Sequence, residues 1–303
     1  MFSKNNQGIC DDDTSKMAEN LLKKLTSPNT IRLIKQKHAR ILRDTEYKTA
    51  ICVDQDDVQI EDSLWCLRSC FPTFNQPDLT TSPINNDFGY YIDGYKEKRK
   101  FICCKNPNEE TIGSFFQTVW DNKIKIIVTF CTSLFNGVYY RYWPIRINLE
   151  KRYDTFTVKA LSITINSYSV LTILNLVNHN NSVRIVQHYC YNRWPQNESC
   201  YDAESILQLI DDINGVNRNI YPFLCIEKYI KQSPILVHCN DGMNKSAAFC
   251  LIDNSISMFK HVGDICIPCL FVKLLRQKNN CINEVSNYIF CHYVVFKFIL
   301  KYN

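Results

Sequence analysis

The chain has 303 residues, of which 46% are hydrophobic and 13% aromatic, so it can bury the core of one α/β domain. Its formal charge of +5 is mild and scattered, and it carries only 8 glycines with no glycine-rich loop. These values argue against a nucleic-acid partner and against a dinucleotide-binding fold. The polar segment 1–20 and the lack of an 18-residue apolar run predict no signal peptide, no membrane insertion and an intracellular location.

We expect residues 1–26 to be a flexible lead-in and residues 27–303 to form one domain. Within it, apolar spacing predicts a helix over 31–43, and polar, proline-containing composition predicts a loop insertion over 61–86. The remaining early elements follow in chain order. They are a loop feeding a strand (47–60), two strands joined by a turn (88–102), a helix (111–122) and a buried strand (124–130).

The middle of the chain alternates apolar and polar residues in four stretches that predict an antiparallel meander: 143–148, 156–165, 169–177 and 183–189. An amphipathic helix is predicted over 202–214, and two closing helices over 259–277 and 283–301. Strands and helices mix without strict βαβ alternation. The pattern therefore predicts a mixed sheet flanked by helices, in the α/β class.

Sixteen cysteines in an intracellular chain are expected to be mostly reduced and buried. Two close pairs, Cys266-Ile-Pro-Cys269 and Cys103-Cys104, have no matching second pair at zinc spacing. We therefore predict structural thiols, no metal site and no cofactor.

The stretch from Pro234 to Cys250 predicts a short buried strand, a tight loop and a buried helix. Cys239 falls at the end of that strand, and Gly242 can supply a positive φ angle in the loop. Backbone N–H groups and a helix N-terminus next to a cysteine suit a thiolate facing a bound phosphate. For the stretch alone, a buried structural cysteine is an equally good interpretation.

Several short motifs in order extend this pattern. They are Tyr91-Ile-Asp-Gly-Tyr95, Phe115-Phe-Gln-Thr-Val-Trp120, Tyr142-Trp-Pro144, Trp194-Pro195 and Val237-His-Cys239. Together they resemble the protein tyrosine phosphatase family from about residue 31 to the end of the chain. The composition is most similar to the tyrosine-phosphatase-like proteins of bracoviruses, a group of polydnaviruses. This resemblance implies a single phosphatase domain with a twisted mixed sheet flanked by helices.

The resemblance also implies roles for individual residues. Cys239 holds the nucleophile position, Ser246 the hydroxyl that assists the departing thiolate, and His238 a supporting hydrogen bond. Tyr47 aligns with the tyrosine that packs on the substrate ring, although ordinary loop packing is an alternative for it. The expected substrate-binding set is Tyr47, Asn240, Asp241, Gly242, Met243, Asn244, Lys245, Ser246 and Asn283.

Several positions depart from the family pattern. Lys245 stands where the family has an arginine that grips the phosphoryl group with two parallel bonds, which an ammonium cannot make. Gln196 stands where an aspartic acid protonates the leaving group, with Glu198 as the one rescue candidate. Asn283 replaces the water-positioning glutamine, and the negative charge of Asp241 inside the loop opposes a dianion.

Further departures concern the surroundings of the loop. Asn244 and Ala247 replace small glycine positions, and Thr49 replaces an aspartate that grips the peptide backbone. Around Phe135 no carboxylate is present to buttress a loop arginine. Arginine and buttress are thus missing together, which favours a site that has drifted from catalysis.

The sequence therefore predicts a catalytically impaired phosphatase-like protein, a pseudophosphatase. It would bind host phosphotyrosine proteins in the host-cell cytoplasm and interfere with signalling and immunity, as the bracovirus resemblance implies. Two alternatives stay open: a weakly active phosphatase that uses Cys239, and an interaction scaffold that does not use the pocket.

Overall fold

The computed structural model describes residues 27–46, 89–130, 140–195, 201–220 and 233–302. Within these ranges the chain forms eight strands and six helices. The strands are β1 (Gly89–Ile92), β2 (Phe101–Lys105), β3 (Ile126–Phe130), β4 (Glu150–Tyr153), β5 (Phe156–Ile165), β6 (Val170–Asn178), β7 (Val183–Tyr191) and β8 (Ile235–Cys239). The helices are α1 (Pro28–Glu46), α2 (Ile112–Asp121), α3 (Ala203–Ile220), α4 (Lys245–Val262), α5 (Ile267–Gln277) and α6 (Val285–Tyr302).

All eight strands lie in one mixed sheet, in the order β1-β2-β8-β3-β7-β6-β5-β4. Strands β2, β8, β3 and β7 run parallel, while the β7-β6-β5-β4 meander and the β1-β2 pair are antiparallel. The predicted mixed sheet flanked by helices is confirmed. The strand that comes last in the sequence, β8, lies inside the sheet, between β2 and β3.

Strand alternation divides the core into two layers. On β8, Ile235, Val237 and Cys239 belong to the larger cluster, which also contains the buried residues of α3 to α6. Leu236, between them, joins the second cluster, which contains the buried face of α2. Because side chains alternate along a strand, neighbouring residues of β8 face different helices. This alternation decides which side of the sheet each candidate site residue faces.

Helix α2 begins with a reciprocal pair of side chains. The backbone N–H of Thr111 donates to Asn108 Oδ1, and the backbone N–H of Asn108 donates to Thr111 Oγ1, both at 2.9 Å. These bonds fix the turn that leads into the helix. The buried face that follows, Phe115, Phe116 and Val119, lies on the second core cluster.

The structure corrects three boundaries. Residues 143–148 form bends and turns, and the edge strand comes later, at Glu150–Tyr153. The alternation there misled because Ile145 and Ile147 are exposed and Asn148 has a positive φ of 65°. The predicted helix over 259–277 breaks at Gly263, whose φ of 71° caps α4 in the left-handed conformation. The helix predicted over 202–214 continues to residue 220.

One cysteine prediction is wrong and another is confirmed. Cys266 and Cys269 form a disulfide rather than a pair of thiols. Cys103 and Cys104 are buried thiols on β2, as predicted. The groups of His, Cys, Asp and Glu in the described ranges include none that could hold a metal ion. No helix in those ranges is both long and apolar enough to cross a membrane.

The lead-in 1–26, the segment 47–60 and the insertion 61–86 lie outside the described residues. The domain boundaries predicted there remain predictions.

Candidate functional site

The candidate site lies at the carboxyl end of β8, where the chain passes through the loop 240–244 into α4. Cys239 pairs with Lys105 of β2 on one side and with Phe130 of β3 on the other. All five residues of β8 are buried. The carboxyl ends of neighbouring parallel strands are where open α/β sheets bind ligands, and the N-terminus of a helix favours an anion. These elements therefore meet where the sequence predicts an anion site, and anion binding there remains a prediction.

Gly242 holds the turn of this loop. Its φ is +68°, and a Cβ atom built on it would lie 2.5 Å from both the carbonyl carbon of Cys104 and the backbone nitrogen of Lys105. A side chain cannot occupy that space, because the obstacle is the backbone of a buried strand. Glycine is thus required here for its φ angle and for the close approach of the loop to β2.

Cys239 is buried beneath the loop. Its Sγ lies 3.0 Å from Asp241 Oδ1 and 3.4 Å from Ser246 Oγ. Burial, followed by the negative charge of Asp241, raises the pKa of the thiol to about 11, although a hydrogen bond with Ser246 acts in the opposite direction. At pH 7 the thiolate fraction is on the order of 10⁻⁴, and the thiolate is the nucleophile. The cysteine is in place but stays protonated.

Asp241 turns its carboxylate back into the loop. Its Oδ1 accepts the backbone N–H groups of Met243 at 2.8 Å and Asn244 at 3.1 Å, and its Oδ2 accepts Asn244 Nδ2 at 2.7 Å. Burial raises the pKa of this carboxyl, but hydrogen bonds from Met243, Cys239 and Asn244 outweigh it, so the pKa lies below the usual value. The carboxylate is therefore charged at neutral pH. It takes loop N–H groups that an external anion needs.

The other loop residues surround this carboxylate. Asn240 is exposed, Met243 is partly buried, and Lys245 is the first residue of α4 and also partly buried. Ser246 is fully buried. The structure brings the predicted set from Cys239 to Ser246 together at one strand end.

A second segment, 281–284, supports the loop from the side. The backbone N–H of Ile282 donates to the carbonyl of Met243 at 3.1 Å, and His38 Nε2 lies 2.7 Å from the carbonyl oxygen of Ile282. Ile282 has a φ of 52°, which is rare for a β-branched residue and indicates strain held by these contacts. Strain of this kind is frequent at functional sites. The next residue, Asn283, is the predicted water-positioning residue, and its side chain is exposed beside the loop.

Hydrogen bonds connect this segment to Trp194. The indole N–H of Trp194 donates to Asn287 Oδ1 at 2.8 Å, and Asn287 Nδ2 donates to Glu284 Oε2 at 2.8 Å. The backbone N–H of Glu284 in turn donates to Asn244 Oδ1 at 3.1 Å. A continuous chain thus runs from the residue before Pro195 to the loop.

The predicted residues of three other segments lie outside the described residues. Gln196 and Glu198 follow Pro195 outside the described residues, as do Tyr47 and Thr49. The region around Phe135 is also outside them. Their roles remain predictions from the sequence.

His238 faces the opposite side of the sheet from Cys239. Its Nε2 lies 2.7 Å from the Tyr142 hydroxyl, which also lies 3.1 Å from His188 Nε2. Burial lowers the pKa of His188 to about 3, and burial together with the charge of His188 lowers the pKa of His238 well below its usual value. Both rings are neutral at pH 7. The hydrogen bond of His238 to Tyr142 lies on the side of the sheet away from Cys239, so the predicted bond that supports the loop remains a prediction.

Several of these partners were missed from the sequence. Tyr142 is visible in it only as part of a motif, and its bond to His238 comes from the fold. Glu284 and Asn287 give no signal at all, because their partners Asn244 and Trp194 are 40 and 93 residues away in the chain. The sequence shows that Asp241 brings a negative charge into the loop, but it does not show the three hydrogen bonds that the carboxylate accepts there.

A buried cysteine ending a central parallel strand, followed by a tight loop and a helix N-terminus, defines the architecture of a cysteine-dependent phosphatase. The family model "Protein-tyrosine phosphatase" matches residues 42–297, so the chain belongs to the protein tyrosine phosphatase family.

The chain is also similar to named proteins of this family. It is 26% identical to "Probable tyrosine phosphatase protein J4" of Microplitis demolitor bracovirus (isolate Webb), covering 90% of this chain and 88% of the relative. It is 29% identical to "Tyrosine phosphatase-like protein J1" of the same virus, covering 70% and 71%. It is 27% identical to mouse "Receptor-type tyrosine-protein phosphatase C", covering 72% of this chain but 17% of that protein. The predicted family and the predicted similarity to bracovirus proteins are both confirmed.

Proposed function

We propose that this chain is a catalytically impaired tyrosine-phosphatase-like protein whose phosphate loop is closed by its own Asp241. The observation that carries the proposal is the Asp241 carboxylate, which accepts the loop N–H groups of Met243 and Asn244 and lies 3.0 Å from Cys239 Sγ. This one side chain therefore opposes both phosphate binding and formation of the thiolate nucleophile. It competes with the phosphoryl group for its donors, and it disfavours the thiolate.

The sequence departures act in the same direction. Replacing a transition-state donor, as Lys245 does for arginine, costs on the order of 10²–10³ in rate. Loss of a general acid, as proposed for Gln196, costs about 10²–10⁴. These factors need not multiply, since catalytic residues act as a unit. The raised pKa of Cys239 adds a separate loss that neither substitution accounts for.

We propose that the pocket binds phosphotyrosine weakly and only when Asp241 leaves the loop. Once the carboxylate has moved, the loop around Gly242 and the N-terminus of α4 can hold a phosphate, and Lys245 is the first residue of that helix. The similarity to bracovirus proteins supports host phosphotyrosine proteins as the partner class, the host-cell cytoplasm as the location and interference with host signalling and immunity as the outcome.

The test combines hydrolysis and binding in one set of variants. Wild type, Asp241→Ala, Lys245→Ala and Cys239→Ser are compared for hydrolysis of an aryl phosphate and for affinity toward a phosphotyrosine peptide. We expect wild-type turnover no higher than that of Cys239→Ser. We expect Asp241→Ala to bind the peptide at least about tenfold more tightly than wild type, because the loop donors are released. Lys245→Ala should weaken binding.

Each alternative gives a distinct result. Cys239-dependent turnover well above background in wild type would establish the weakly active enzyme. An Asp241→Ala variant that folds but still fails to bind at millimolar peptide would leave the interaction scaffold. The unphosphorylated peptide is the matched control for specificity.

The reversion Lys245→Arg with Gln196→Asp, made with and without Asp241→Ala, shows what blocks catalysis. We expect activity only when Asp241 is also replaced. If Lys245→Arg with Gln196→Asp is already active while Asp241 is present, Asp241 does not close the loop.

A further inference from the structure

A second cysteine site lies away from the phosphate loop, in the first turn of α5. Cys266 and Cys269 are joined by a disulfide, with their Cα atoms 5.3 Å apart, across the sequence Cys-Ile-Pro-Cys. Cys266 is the N-cap residue of the helix, and Pro268 lies in the first turn. The Cys266 sulfur accepts the backbone N–H of Cys269 at 3.3 Å.

Proximity of sulfur atoms alone does not explain this bond. Cys103 and Cys250 have sulfur atoms 3.4 Å apart, yet both are free thiols and both are fully buried. The α5 pair differs in having one partner that is only partly buried. Cys269 is partly buried and packs against the core, whereas Cys266 is 4% exposed. Of the two residues, Cys269 is therefore the more accessible to an external thiol.

The two sulfurs also differ as leaving groups. Cys266 stands at a helix N-terminus and accepts a backbone N–H, both of which stabilise a thiolate. A disulfide is cleaved fastest when the attacked sulfur is accessible and the other sulfur leaves as a stable thiolate. Accessibility at Cys269 and stabilisation at Cys266 fit these two requirements.

Asp264 lies two residues before Cys266 in the chain. It is 6% exposed, and its Oδ1 accepts the backbone N–H of Ile265, but within the described residues its buried Oδ2 has no hydrogen-bond partner. An unsatisfied carboxylate oxygen is costly in free energy, but it does not favour a thiolate, so the stabilisation of the Cys266 thiolate depends on the helix N-terminus and the N–H of Cys269 alone.

From these features we infer that Cys266 and Cys269 form a redox-active dithiol–disulfide site that exchanges with small thiols of the glutathione class. A glutathione thiolate attacks the sulfur of Cys269, forming a mixed disulfide and expelling the Cys266 thiolate. A second glutathione thiolate attacks the glutathione sulfur of the mixed disulfide and expels the Cys269 thiolate. Two glutathione thiols become one glutathione disulfide, and the protein disulfide takes up two electrons and two protons.

The site is separate from the phosphate loop. Cys266 and Cys269 lie at the start of α5, whereas the segment that contacts the loop, at Ile282, follows the other end of this helix. The inference therefore does not depend on the proposed function.

The test equilibrates the unmodified folded protein in buffers of graded reduced-to-oxidised glutathione ratio. Free thiols are trapped by alkylation and located by mass spectrometry. We expect the 266–269 peptide to pass reversibly between disulfide and dithiol over this range while Cys103 and Cys250 stay unmodified. In the reduced protein, we expect Cys269 to be alkylated about tenfold faster than Cys266.

Two variants locate the attacked sulfur. Cys266→Ser should accumulate a mixed disulfide with glutathione at Cys269, and Cys269→Ser should accumulate none at Cys266. Cys250→Ser is the matched control and should leave the exchange unchanged. A disulfide that resists every glutathione ratio in the folded protein, or a reduced pair that never re-forms it, would overturn the inference even if a variant failed to fold.

Discussion

The polar side chains on the two faces of β8 have different surroundings. On one face His238 bonds to Tyr142, and Tyr142 bonds to His188, in a buried and neutral cluster. On the other face, one residue further on, Cys239 lies against a charged carboxylate that also occupies the loop. The comparison contrasts a neutral, hydrogen-bonded cluster on one face with a thiol held against a charged carboxylate on the other, which is the arrangement that the proposed loss of catalysis requires.

The frame that positions the loop extends beyond the strand itself. Gly242 fits its loop against β2, and the chain of bonds through Asn244, Glu284 and Asn287 reaches Trp194. These contacts hold the loop in position, and they do not depend on whether the loop takes part in catalysis.

The strongest test of the frame is Gly242→Ala. The added Cβ meets the β2 backbone at 2.5 Å and keeps a positive φ, so we expect about 3–5 kcal/mol lower stability. Chemical denaturation measures this loss. Gly263→Ala is the matched control, because Gly263 has a φ of +71° with nothing within 4 Å of its added Cβ. It should lose about 1–2 kcal/mol. Equal losses would mean that the close approach of Gly242 to β2 is not a constraint.

The neutral histidine cluster predicts acid sensitivity. Burial lowers the pKa of His188 to about 3, so between pH 6.5 and 3 the unfolded chain binds a proton there and the folded chain does not. The stability contributed by the neutral ring is complete above pH 6.5 and decreases as pH falls toward 3. From pH 7 to 5 we expect this residue to account for a loss of about 2 kcal/mol.

Replacing His188 isolates its share of that loss. In His188→Gln the decrease in unfolding free energy between pH 7 and 5 should be smaller by this amount, as measured by denaturation at both pH values. His261→Gln, which changes an exposed histidine, is the control and should leave the decrease unchanged. An undiminished decrease in His188→Gln would show that His188 is already protonated in the folded protein.

The sequence predicts the frame better than it predicts the contacts within it. Apolar alternation and helical spacing identify β5, β6, β7 and β8 because these strands are buried on at least one face. They fail at 143–148, where Ile145 and Ile147 continue the alternation but are exposed. Burial is a property of the assembled fold, and the local pattern cannot report it there.

The site divides in the same way. The identities of Cys239, Asp241 and Lys245, and thus the departures from the family, are readable from the sequence. That the carboxylate of Asp241 accepts the N–H groups of Met243 and Asn244 is not, because an exposed aspartate in a loop could equally bond to water alone. The disulfide of α5 is missed for a related reason. The spacing Cys266-Ile-Pro-Cys269 is compatible with a metal site, with thiols or with a disulfide, and only the fold brings the two sulfurs into a bond.

The smallest expected effect concerns Cys239 itself and separates two neighbours that act on it in opposite directions. The charge of Asp241 raises the pKa of the thiol, whereas the hydrogen bond with Ser246 lowers it. Asp241→Asn should therefore lower this pKa and increase alkylation of Cys239 at pH 8 about tenfold, since one pKa unit changes the thiolate fraction tenfold. Ser246→Ala should raise the pKa and slow alkylation. The measurement is the rate of Cys239 modification as a function of pH in folded protein. If both variants shift the rate in the same direction, access to the buried sulfur controls reactivity, and the charge of Asp241 does not hold the thiol protonated.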